Sequence, residues 1–267
     1  MVWILESDVF PISHTRLRRA INDAGHRIVE SRDDWWLDEP SKFDAQTPVV
    51  FHGSLGNAAV IEMKANWSPG SFCPMNDFYC TAWYPRARKW LLHRDWRCVP
   101  ANDLVANAAD VASSIGCHDR VFVRPDSPLK PFSGRVLDVD SISLKALDHG
   151  FYFEDETLPV IVAPVANVGR EWRFVVVDRQ VIAGSGYNAE TRSASAASEN
   201  SRARELAAEI VCSMEPPSPV YVLDICEVDD QCLLLELNPF GGADLYDCDP
   251  QAIVKAVSDH AIRSVKS

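Results

Sequence analysis

The chain has 267 residues, enough for one large domain or two small ones, and 47% of them are hydrophobic, enough for a packed core. A formal net charge of −12 argues against a broad polyanion-binding face, so no nucleic-acid partner is expected. Eight cysteines occur without a single C-x-x-C pair, which argues against a zinc ribbon or a thioredoxin-type site and fits buried, reduced thiols.

The opening segment Met1-Val-Trp-Ile-Leu-Glu-Ser-Asp lacks the basic region and long apolar core of a signal peptide. No apolar run approaches the roughly 20 residues that span a bilayer. A cytoplasmic protein without a membrane partner is expected.

Val2 to Glu6 predicts a buried strand, and His14 to Ala24 a helix with Ser13 as its cap and Gly25 as its stop. His26 to Glu30 and Thr47 to His52 predict two more strands, so the chain opens as a small α/β unit. Gly53-Ser54-Leu55-Gly56-Asn57 follows the third strand and opens a helix. Such a turn can cradle a phosphate or a carboxylate, but a plain connecting turn is the commoner reading.

Residues 66–100 interleave Trp67, Trp83, Trp90 and Trp96 with Pro69, Pro74, Pro85 and Pro100. This composition predicts a long ordered connection with little regular structure. Arg86, Arg88, Lys89, Arg94 and Arg97 make it the most basic part of the chain. They form either a solvated face or one wall of a pocket for an anion.

Asn102 to Ile115 predicts a helix, Arg120 to Arg124 a strand, Pro125 to Gly134 a loop, Arg135 to Val139 a returning strand and Ser141 to Leu147 a short helix. Val160 to Val165 reads as an apolar strand. Glu171 to Val177 and Val181 to Gly184 form a hairpin around Asp178-Arg179-Gln180. Residues 193–200 are small and polar and read as a mobile loop. Ser201 to Met214 is helical. Val220 to Val228 and Gln231 to Leu237 form a second hairpin around Asp229-Asp230, and Gln251 to Val265 is a closing helix.

The second hairpin carries the most chemistry. Glu236 and Asn238 are two apart on one strand, so they share a face, and Asp224 on the partner strand can meet them across the sheet. Two carboxylates and an amide oxygen suit magnesium, a hard cation that bridges nucleotide phosphates. The alternative is a set of polar strand-end residues at a sheet edge. In a second cluster, a strand delivers Arg124 to a loop that carries Lys130, Ser133 and Gly134, cations and small residues suited to phosphate groups. The loop does not fit the P-loop spacing, and a surface turn with solvated cations is the alternative. In a third cluster, Val162, Ala163 and Val165 form an apolar strand that can present its backbone to an adenine edge. Glu171 and Arg173 alternate on the next strand, the acid placed for ribose hydroxyls and the arginine for a transferred phosphoryl group. An ordinary Glu171–Arg173 ion pair is the plainer reading.

The order of these clusters resembles the ATP-grasp superfamily over residues 100–267, with Glu236-Leu237-Asn238-Pro239 and Glu171-Trp172-Arg173 as the most specific matches. Members usually place a lysine where this chain has Arg124; the chain is similar to the mostly uncharacterised clade with arginine there and a lysine later in the loop, here Lys130. The resemblance implies an α/β protein of α+β lobes with the ATP-grasp fold and a small N-terminal Rossmann-like domain. It implies a pre-ATP-grasp domain over 1–100 and an ATP-grasp domain over 101–267, whose lobes are 101–162 and 163–267.

It also implies ATP and magnesium as cofactors, held by residues in assigned roles. Arg124, Lys130, Ser133 and Gly134 would bind phosphates. Val162, Ala163 and Val165 would contact adenine, and Glu171 the ribose. Asp224, Glu236 and Asn238 would bind the metal, and Arg173 and Lys130 would be catalytic. The residues 185–192 would touch the acceptor. The reaction implied is an ATP-dependent carboxylate–amine ligation through an acyl phosphate, with small-molecule or peptide substrates. A phosphotransferase and a non-catalytic nucleotide-binding module are the alternatives, and monomer or homodimer stays open.

Overall fold

The computed structural model describes residues 1–32, 43–44, 46–148, 155–188, 190–191, 193–194 and 201–266. The expected mobile loop at 195–200 and the expected acceptor contact at Arg192 lie outside the described residues.

The chain opens with β1 (Val2–Glu6), α1 (Pro11–Asp23), β2 (Arg27–Ser31), β3 (Val49–His52), α2 (Leu55–Lys64) and β4 (Pro69–Gly70). The strands form a parallel sheet of order β2-β1-β3-β4. Every residue of β1 and β3 is buried, which explains why both read as continuous apolar runs. Helix α1 starts earlier than its expected cap: Pro11 presets its first turn, and Ser13 is a buried residue inside it. Gly25, at φ +72°, ends it in a conformation that glycine adopts without strain.

Next come α3 (Met75–Phe78), α4 (Cys80–Ala87), β5 (Arg97–Pro100), α5 (Ala101–Ala106), α6 (Ala108–Ser114), β6 (Arg120–Pro125), β7 (Arg135–Asp138), α7 (Leu144–Asp148) and β8 (Pro159–Ala163). The expectation of little regular structure before residue 100 is corrected here. Pro74 precedes α3, Pro85 sits in the last turn of α4 and Pro100 ends β5, so the prolines punctuate short elements instead of preventing them. Trp83, Tyr84 and Phe78 are fully buried, and their packing decides the local structure. The expected single helix over 102–115 is two helices, broken at Asn107, whose φ of −130° is not helical.

The chain closes with β9 (Glu171–Val177), β10 (Gln180–Asn188), β11 (Ser193–Ala194), α8 (Ser201–Ser213), β12 (Val220–Val228), β13 (Gln231–Pro239) and α9 (Pro250–Lys266). These strands form a sheet of order β11-β10-β9-β12-β13. Asp178-Arg179 and Asp229-Asp230 all have positive φ, the backbone that two-residue hairpin turns demand.

Packing divides the molecule into two compact units, residues 1–74 with 169–267, and residues 75–168. In the first unit the parallel sheet and the five-stranded sheet share one core. Trp3, Leu17 and Val50 meet Val175, Val222 and Ile253 of α9 there. Each fully buried side chain of this size contributes about 1.5–3 kcal/mol. In the second unit the antiparallel sheet β5-β8-β6-β7 packs Val121, Val123, Val160 and Val162 against Leu104 and Ala112 of its helices.

All eight cysteines are free; four are buried, and Cys212 is exposed. Among the described residues no helix is long and apolar enough to cross a membrane.

Candidate functional site

Four side chains stand in one row across the five-stranded sheet. Ser185 on β10 pairs with Arg173 on β9, Arg173 with Asp224 on β12, and Asp224 with Glu236 on β13. The alternation of a strand puts Asn238 on the face of Glu236. The three expected metal ligands are therefore brought together. Asn238 Nδ2 donates to Asp224 Oδ2 at 3.0 Å and to Glu236 Oε2 at 3.1 Å. A partly positive amide thus stands where two carboxylates converge, and rotating it presents Oδ1 instead. Among the described residues no group of three or more His, Cys, Asp and Glu side chains suits a metal ion. This set has two carboxylates and an amide, and the hard oxygen donors fit magnesium.

Arg173 pairs with Asp224, not with Glu171. Its Nε and Nη2 donate to the two Asp224 oxygens at 2.9 and 2.8 Å, and its Nη1 donates to the Asp244 carbonyl at 2.7 Å. Burial disfavours its charge, but the Asp224 carboxylate outweighs that and pushes its pKa further up. These three bonds leave two of its five N–H groups for another acceptor.

Residues after the hairpin complete the setting, and sequence reasoning missed them. Tyr187 and Tyr246 stack at 4.9 Å with planes 5° apart, and the Arg173 guanidinium lies 5.3 and 5.1 Å from their rings. The segment that carries Tyr246 is tied down from three sides. Ser13 of α1 donates to Asp244 at 2.7 Å, Arg16 to Asp247 at 2.5 Å, and the Asp247 amide to Ser185 at 3.2 Å. The only sequence signal was the placement of Tyr187 two residues beyond Ser185 on the same strand. Tyr187 also donates to Glu171 at 2.5 Å. Burial raises the Glu171 pKa, and the charges of Asp224 and Glu236 add to the shift.

In the second unit, Arg124 ends β6 almost fully buried. His93, also missed, stacks on Phe122 at 4.6 Å, and its pKa is lowered to about 4 by burial and by the Arg124 charge. The following loop is fixed by Asp126, which accepts from the Thr81 amide and hydroxyl, both at 2.8 Å. Lys130 takes a left-handed backbone at φ 50°. Ser133 and Gly134 are exposed. A Cβ on Gly134 would lie 2.6 Å from Phe122, so only glycine lets the loop pass β6 this closely. Val162 lies inside the β5-β8-β6 ladder with its side chain in the core, and Ala163 is buried. Val165 follows the end of β8 and is 41% exposed.

The glycine turn at 53–57 opens α2 as expected, but its donors serve the protein itself. Glu6 accepts from the Ser54 amide at 2.7 Å and from Asn57 Nδ2 at 3.0 Å. Gly53 also donates to the Gly241 carbonyl at 2.8 Å, which docks the turn after β13 against β3.

A sheet presenting oxygen ligands beside a fixed arginine, and a second unit presenting an arginine and a glycine-bearing loop, define a nucleotide-using protein. The chain belongs to the ATP-grasp superfamily: the model of an ATP-grasp domain, the second family of its clade, matches residues 95–256. Membership brings ATP and magnesium as cofactors. No curated protein matches the chain in sequence. Several solved structures share its fold. D-cycloserine synthetase DcsG is 15% identical with a TM-score of 0.60, over 100% of this chain and 98% of that one. D-alanine–D-alanine ligase from Bacillus anthracis, complexed with ATP, is 12% identical with a TM-score of 0.60, over 100% and 98%. The ligase PsnB, complexed with a phosphomimetic variant of its minimal precursor, Mg and ADP, is 12% identical with a TM-score of 0.57, over 97% and 98%.

Proposed function

We propose that this protein is an ATP-dependent ligase that joins a carboxylate to an amine through an acyl phosphate. The observation that carries the reading is the alignment of Arg173, Asp224 and Glu236 across three strands, with Asn238 beside them. The ligase and synthetase names of the three similar structures support it, as does the phosphomimetic precursor bound to PsnB.

Asp224, Glu236 and Asn238 would hold magnesium, which neutralises phosphate charge when bound. Arg124, Lys130, Ser133 and Gly134 would hold the phosphates, with Lys130 also catalytic. Val162, Ala163 and Val165 would form the adenine wall, and Glu171 would accept from the ribose. A carboxylate oxygen of the substrate attacks the γ-phosphorus of ATP as the bond to the β-phosphate oxygen breaks. Arg173 offers its remaining N–H groups to the acyl phosphate. The amine then attacks the acyl carbon, phosphate leaves with that carboxylate oxygen, and the amine proton passes to solvent. No enzyme nucleophile is needed; the side chains position the reactants and offset charge.

The test is ADP release against a library of amino acids and short peptides. Release is expected only when a carboxylate and an amine are both present. Release with one substrate alone, accompanied by a stable phosphorylated product, would make the protein a phosphotransferase instead.

A further inference from the structure

The basic segment before residue 100 is not used by the proposed ligase site. Arg88, Arg94 and Arg97 line a cavity of about 720 Å³ in the second unit, together with Trp96 and a single acid, Asp95. All three arginines are exposed. Among the described residues none of them pairs with a carboxylate, and Arg94 reaches only the Lys89 carbonyl at 3.2 Å. In a chain of net charge −12 this wall reverses the local sign. Its volume falls within the roughly 300–1,000 Å³ of ligand clefts.

The cavity borders a strand edge. β5 is the terminal strand of its sheet and its ladder partner is β8. In a terminal strand, alternate N–H and C=O groups point away from the sheet and can pair with an added strand. Arg97 and Cys98 belong to both the strand and the cavity lining. Main-chain donors and acceptors therefore adjoin three cations.

We propose that an acidic peptide docks here, adding as a strand along β5 with its carboxylates on Arg88, Arg94 and Arg97. Alternate residues of an extended peptide put side chains on one face about 7 Å apart, so alternating acids can reach successive guanidinium groups. Arginine binds carboxylates through paired N–H groups, which gives direction as well as charge. The overall negative charge disfavours a nucleic acid at the same place. The docking surface does not depend on the ligase reading, because no nucleotide takes part.

The test is fluorescence anisotropy of a labelled Glu-Val repeat hexapeptide with the full chain, without ATP. The triple variant Arg88→Gln/Arg94→Gln/Arg97→Gln is expected to weaken binding at least tenfold while keeping the wild-type circular dichroism spectrum. A peptide N-methylated on its strand-pairing amides is expected to weaken at least as much. Citrate, inorganic phosphate and single-stranded DNA at matched concentration should fail to compete. The proposal is overturned if the hexapeptide does not bind or if the triple variant binds it equally. It is also overturned if the N-methylated peptide binds as well, or if the free anions or DNA displace it.

Discussion

Arg173 and Asp224 lie level on adjacent strands, share two hydrogen bonds of 2.9 and 2.8 Å, and expose only 9% and 1% of their side chains. A buried pair of this kind is costly to break on one side, because the remaining charge stays buried without compensation. Arg173→Met and Asp224→Asn should each lower unfolding free energy by about 3–5 kcal/mol. The double variant Arg173→Met/Asp224→Leu should lose less than the sum of the single changes. Urea denaturation of the four proteins as a double-mutant cycle measures this coupling, and additive losses would show that the pair does not act as a unit.

Two glycines make opposite predictions. A Cβ on Gly241 would sit 2.3 Å from the Ser71 carbonyl oxygen, a backbone atom that cannot move aside cheaply. Gly56, in the first turn of α2, would meet nothing within 4 Å. Gly241→Ala should destabilise by about 1–3 kcal/mol or more, and Gly56→Ala should stabilise by up to about 1 kcal/mol through helix propensity. Thermal melts of the two variants check both signs.

Acid should weaken the fold well before its carboxylates protonate. Burial, with Arg124 nearby, lowers the His93 pKa to about 4, and burial, with Arg18 nearby, lowers that of His14 to about 4. Both folded values lie below the ordinary 6.5, so the unfolded chain takes up these protons first. The stabilisation is fully present above about pH 6.5 and is lost as pH falls toward 4. At pH 5 each histidine should have cost about 2 kcal/mol. The urea midpoint should fall between pH 7.5 and 5, and His93→Phe, which keeps a ring against Phe122, should flatten part of that slope. An unchanged slope in the variant would remove His93 from the account.

Much of the fold was legible because local signals agreed with packing. Asp229-Asp230 fixed the turn between β12 and β13, and that turn brought Asp224 level with Glu236. Local signals failed where tertiary packing decided. The buried Trp83 and Tyr84 stabilise α4 despite its proline, and Ser13 caps nothing because its hydroxyl is needed by Asp244. Glu6 was invisible as the partner of the glycine turn because 48 residues separate it from Ser54. The same holds for Tyr246, which reaches Arg173 only through a loop held by Ser13, Arg16 and Ser185.

The claim on which the rest depends is that Glu236 and Asn238 hold magnesium for ATP. Calorimetric titration of ATP at rising magnesium, into wild type and into Glu236→Ala/Asn238→Ala, tests it without knowledge of the substrate. Both proteins should show the same circular dichroism. Wild type should bind more tightly as magnesium rises, and the double variant should lose that gain by at least about tenfold. ATP binding that survives in the double variant with the same magnesium dependence would contradict the metal assignment.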